Sequence, residues 1–114
     1  MTTTTARPDP ETCVRAEPAL VSAFTLLGKR WSGSILEVLR HGPIGFREIS
    51  RAVDGVSDSV LADRLAELAE KGLVARTVES GPPVGVTYEL TRGGRELLPA
   101  LDQLARWADT HLRD

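Results

Sequence analysis

Between Val56 and Val74 the chain reads VSDSVLADRLAELAEKGLV, with Leu61, Leu65 and Leu68 on one face of a 3.6-residue period and Ser59, Asp63, Glu67 and Glu70 on the other. This pattern predicts an amphipathic helix. Ser57 precedes it as an N-cap, Asp58 complements the positive helix end, and Gly72 after Lys71 supplies a left-handed stop. Upstream, PALVSAFTLLG sets Leu20, Val21, Phe24 and Leu27 on a helix opened by Pro18 and ended by Gly28. WSGSILEVLRHGP gives a second helix with Trp31, Ile35, Val38 and Leu39 on one face, and GFREISRAVDG a third with Phe46, Ile49 and Val53 inward and Arg47, Glu48 and Arg51 outward. Downstream, Val74, Arg76 and Val78 alternate with Ala75, Thr77 and Glu79, which predicts a half-buried strand ending at Ser80. A second strand, Val86 to Leu90, returns across GPPVG as a hairpin. The chain closes in a long helix, TRGGRELLPALDQLARWADTHL, striped with Leu97, Leu98, Leu101, Leu104, Ala105, Ala108 and Leu112. Its Gly93-Gly94 pair and Pro99 fall near the start, where they cost least.

The order of these elements defines the fold class: mainly α with a small β-hairpin (α+β). The third and fourth helices, joined by the short turn DGVS, form a helix-turn-helix, and the hairpin adds a wing. Residues 13–114 then make one domain behind a Thr- and Pro-rich tail, residues 1–12, which is expected to be disordered and lacks the apolar stretch of a secretory signal. A 114-residue chain with 41% hydrophobic content is a marginal domain without a partner. The first and last helices carry more apolar surface than one packing stripe needs. Leu20, Phe24 and Leu27 with Leu101, Leu104, Trp107 and Leu112 are therefore expected to pair two copies across a two-fold axis. No apolar run reaches the roughly 18 residues of a membrane span, and a single cysteine permits no intrachain disulfide, so a cytoplasmic chain without membrane contact is expected.

The second helix of a helix-turn-helix lies in the DNA major groove and reads bases with its N-terminal residues. Ser57, Asp58, Ser59, Asp63 and Arg64 have side chains suited to base edges or phosphates. Charge divides sharply along the chain. Asp58, Asp63, Glu67 and Glu70 against Arg64 and Lys71 leave the reading helix at −2, while Lys29, Arg30, Arg40, Arg47 and Arg51 against Glu37 and Glu48 leave the preceding segment at +3. Phosphate neutralisation supplies most affinity, and flanking positions can provide it. Lys29, Arg47 and Arg51, with Arg76 on the first strand and Pro83 at the wing tip, complete the expected contact set. The acidic reading helix keeps a second function in play: the same face contacting protein in place of DNA. His41 and His111 stand outside any metal-ligand spacing, and no nucleophile triad, carboxylate pair or phosphate loop occurs, so no cofactor, no metal and no enzymatic activity are expected.

Several pieces at characteristic spacings, namely Cys13, LLGKRW followed by ILEVL, GPIGFREI, SDSVLADRL and the hairpin ending in YELT, resemble the HxlR-type winged-helix regulators of the wider MarR-like class from Cys13 almost to the C-terminus. The resemblance implies a bacterial, homodimeric transcriptional regulator that binds double-stranded DNA and pairs through its first and last helices. It also implies an inducer, either an oxidant or electrophile sensed at Cys13 or a small ligand bound without covalent chemistry. Two departures stand out. The wing has one extra residue and no basic residue after Pro82-Pro83, and Ser59 and Asp63 replace the Lys or Gln common in the family's reading helix, which implies a different operator.

Overall fold

The computed structural model describes residues 15–82 and 84–112; the tail 1–12, Cys13 and Pro83 lie outside the described residues. The elements are α1 (Pro18–Leu27), α2 (Ser32–Leu39), β1 (Ile44–Gly45), α3 (Phe46–Ala52), α4 (Asp58–Glu70), β2 (Val74–Ser80), β3 (Val84–Leu90) and α5 (Arg92–His111). The antiparallel sheet has the order β1-β3-β2, a winged helix-turn-helix with helices added at both ends.

The predicted helices form where periodicity places them, with local differences. Ser57 caps α4, its hydroxyl accepting from the Val60 N–H at 3.2 Å, and Gly72 adopts φ +84. The second helix begins at Ser32. Trp31, expected on that helix, lies just ahead of it in a left-handed conformation, φ 82. The buried face is accordingly Ile35, Leu36 and Leu39, with Val38 only half-buried. The expected GPPVG loop is shorter than predicted, because Val84 and Gly85 pair with Ser80 and Glu79 and lengthen β3. Sequence reading missed β1, whose Ile44 and Gly45 pair with Tyr88 and Thr87. Pro99 occupies the eighth position of α5, inside the helix and not near its start; on this exposed side, solvent can take the Arg95 carbonyl it leaves unpaired.

Ile49 and Val53 from α3, Leu61, Leu65 and Leu68 from α4, Val74 and Leu90 from the wing, and the three α2 residues form one core. α5 is seated on the turn after α4. Thr91 caps the helix through Gly94 N–H at 3.1 Å, while its hydroxyl donates to Gly72 O at 2.6 Å and its N–H to Leu73 O at 3.0 Å. Arg40 ties α2 to α5 through Asp102 at 2.5 Å. Among the described residues no helix is long and apolar enough to cross a membrane.

Candidate nucleic-acid interface

α3, the turn at Gly55 (φ +95) and α4 form the helix-turn-helix, and the buried leucines of α4 fix which side it presents. The exposed side carries Ser57, Asp58, Ser59, Ala62, Asp63, Ala66 and Glu70. Ala62 and Ala66 were absent from the predicted set, although they fall three and seven residues after Ser59 on the same face; short methyl side chains there suit the thymine methyl group.

The predicted site residues sort by what they already touch. Ser57 spends its hydroxyl on the cap and lies 3.4 Å from the Ser59 hydroxyl. Asp58 accepts from Arg47 at 2.9 Å and from the Ser50 hydroxyl at 3.5 Å. Lys29 meets Glu67 at 2.6 Å, and Arg64 donates from Nε to Arg30 O at 3.3 Å. Arg51 and Arg76 are exposed, and neither makes a hydrogen bond or ion pair with the described residues. Lys29 and Arg47 thus border α4, Arg64 lies on α4 itself, and Arg51 follows Arg47 by one turn of α3. Arg76 stands apart on β2 opposite Tyr88. Lys29 holds the Glu67 carboxyl below its usual range, chiefly by donating a hydrogen bond. Its contribution to stability is present above the ordinary carboxylate range and fades as pH falls through the lowered value.

Of the connector between α1 and α2, only Lys29 was predicted as part of this site; Arg30 and Trp31 were not. Lys29 pairs with α4, Arg30 lies 4.5 Å over the Trp31 ring, and that ring would stand 3.2 Å from a Cβ at Gly55. The turn glycine is therefore required twice, by its positive φ and by the indole against it. The signal in the sequence was the run GKRW, whose residues point in three directions once Trp31 turns left-handed.

Residues 26–114 match the family model described as HxlR-like helix-turn-helix. The chain belongs to the HxlR-like helix-turn-helix family. A relative of this HxlR chain, the HTH-type transcriptional regulator YodB of Bacillus subtilis, is 44% identical over 92 residues, covering 81% of this chain and 82% of YodB. The solved reduced form of YodB superposes with a TM-score of 0.79 at 41% identity, covering 85% of this chain and 95% of that one. Its quinone-bound form gives 0.73 at 41% identity, covering 82% and 98%. These relatives are transcriptional regulators, not enzymes. Among the described residues of this HxlR chain no three His, Cys, Asp or Glu side chains gather in a metal-binding group.

The predicted pairing residues divide in two. Leu27 and Leu101 are half-buried against the chain's own core. Leu20 and Phe24 on α1, Leu104 and Trp107 on α5 and Leu112 at its C-cap remain between 46% and 61% exposed, and Val21, which was not in the predicted set, is exposed beside them. No residue of α1 is fully buried; Ala23, Leu26 and Leu27 are half-buried.

Proposed function

We propose that this HxlR-family chain is a sequence-specific DNA-binding transcriptional regulator that acts as a homodimer on a pseudo-palindromic operator. The observation that carries the reading is the exposed side of α4, small and polar, with Arg64 on the helix, Lys29 and Arg47 paired to it and Arg51 one turn further along α3, in a helix-turn-helix of this family. A major groove accepts such a helix with phosphates on either flank. Ser59 and Asp63 are the positions free to read bases, Ala62 and Ala66 those that would meet thymine methyls, and Arg51 a free phosphate contact. Ser57 and Asp58 hold the helix end in place. Arg76 and Pro83 would meet the backbone beside the wing. The exposed apolar rows of α1 and α5 join the two copies, setting their α4 helices roughly one DNA turn, about 34 Å, apart.

Selection of bound genomic fragments by the purified protein defines the operator and tests the reading directly. On that operator, Arg51→Ala should weaken all duplexes alike and flatten the plot of log K against log salt by about 0.9, since one phosphate contact and its released counterion are lost. Arg47→Ala should flatten it less, because Arg47 must leave Asp58 to reach a phosphate. A slope unchanged by Arg51→Ala would reject Arg51 as a backbone contact.

YodB has been solved in diamide-treated and quinone-bound forms. By that likeness we assign this chain an oxidant or electrophile as inducer, with Cys13 as the responding thiol. With no second cysteine in the chain, alkylation, a mixed disulfide or a bridge between the Cys13 residues of two subunits are the available products. Diamide or a quinone should lower operator affinity of the wild type and leave Cys13→Ser unaffected; equal responses would remove Cys13 from the switch.

A further inference from the structure

Two of the basic residues that flank α4 are occupied in the free protein by acids of α4 itself. Arg47 Nη1 lies 2.9 Å from Asp58 Oδ2, and Lys29 Nζ lies 2.6 Å from Glu67 Oε2. Both pairs are open to solvent on at least one partner: Arg47 and Asp58 are each more than half exposed, and Lys29 is 44% exposed. A carboxylate at this distance offers a guanidinium or ammonium the same charge and acceptor oxygens as a phosphate ester.

Resting on the DNA-binding reading above, we propose that Asp58 and Glu67 act as internal stand-ins for DNA phosphate, occupying Arg47 and Lys29 and thereby suppressing affinity for duplex of arbitrary sequence. A random duplex must displace both carboxylates to engage these bases. Each displaced carboxylate is then left ionised in the field of the DNA, where it gathers a cation and cancels the counterion released at the phosphate. The bases without such partners, Arg51 and Arg76, carry the indiscriminate part of binding. Discrimination then rests on the reading face, because only a sequence that adds base contacts at Ser59 and Asp63 offsets the two displaced ion pairs. The −2 of the reading helix is thus a determinant of specificity.

The test uses the full chain and a labelled 30-base-pair duplex of random sequence, titrated by fluorescence anisotropy across about 50 to 200 mM salt, a range over which each phosphate contact changes affinity several-fold. Glu67→Gln and Asp58→Asn should each bind up to roughly fivefold more tightly at the lowest salt, the fold-change equivalent of an exposed ion pair. Each should also steepen the log–log salt slope by about 0.9. Removing a negative charge could by itself favour DNA, so the same changes are made in Lys29→Ala and Arg47→Ala backgrounds. The gain from Glu67→Gln should vanish in Lys29→Ala, and that from Asp58→Asn in Arg47→Ala. Equal gains with and without the basic partner would overturn the inference, as would a wild type that binds the duplex with unchanged affinity and slope in both variants. Absence of binding to the random duplex by the folded variants, checked by circular dichroism, would overturn the inference alone, whereas failure of the wild type to select any genomic fragment would sink the DNA reading and the inference with it.

Discussion

If α1 and α5 pair two copies as proposed, Phe24→Asp should convert the dimer to a monomer while leaving each subunit folded. α1 is apolar over PALVSAFTLL and fully buries none of its residues in its own subunit, so a charge at Phe24 displaces nothing from the core. At a two-fold interface the same side chain is covered twice. Phe24 is 54% exposed, so covering what remains is worth about half of a full phenylalanine burial, roughly 1–1.5 kcal/mol and hence roughly 2–3 kcal/mol per dimer, and an unpaired carboxylate in its place adds a desolvation cost. The dimer dissociation constant should rise by roughly 10²-fold from the lost burial, and further from the desolvation. Leu104→Asp should act in the same direction from α5, where Leu104 is 46% exposed. Sedimentation at micromolar concentration reads the outcome, and operator affinity should collapse with it because one subunit reaches only one half-site. A sedimenting dimer with its dissociation constant unchanged in both variants would place the two-fold contact elsewhere.

Two adjacent glycines at the start of α5 should respond to alanine with opposite signs. At Gly94 a Cβ would lie within van der Waals exclusion of the Leu73 carbonyl oxygen and 3.1 Å from Leu90 Cδ2. Leu73 O is fixed by the Thr91 N–H, so the clash is with held backbone, and helix and turn must separate. Gly94→Ala should cost about 1–3 kcal/mol or more, lowering the melting temperature by roughly 4–8 °C per kcal/mol. At Gly93 the same atom would sit 3.6 Å from Gly72 O, ordinary contact, and Gly93→Ala should stabilise by up to about 1 kcal/mol through helix propensity. Thermal melts of the two variants decide it. A neutral Gly94→Ala would show that α5 is not seated on the turn as described.

The boundaries of α4 were legible because capping chemistry is local: Ser57 and Gly72 do in the structure what their residue types predict. The leucine face of α4 and the apolar surplus of α1 and α5 were legible because periodicity and composition record burial. β1 was not, since two residues show no alternation and exist as a strand only because β3 offers them an edge. Neither was the αL turn at Trp31, whose indole lies against Gly55, 24 positions later in the chain, a contact that only the fold brings about. Proximity alone could not explain the need for Gly94, which depends on the approach of Leu73 from another element. The charges were countable as +3 and −2, but their pairing was not. Lys29 and Glu67 are 38 residues apart in sequence, and only the fold brings the two sums face to face.

The left-handed Trp31 also makes the chain its own optical instrument. One of its two tryptophans leans on the helix-turn-helix turn under Arg30, and the other, Trp107, stacks on His111 at 5.6 Å along the exposed row of α5. Intrinsic tryptophan emission therefore arises from two separate places, one at the proposed reading head and one at the proposed pairing face. Replacing either indole by phenylalanine leaves a single indole, which can be excited apart from Tyr88 at the red edge of absorption, so motion of the head and association of subunits become separately visible without any attached dye.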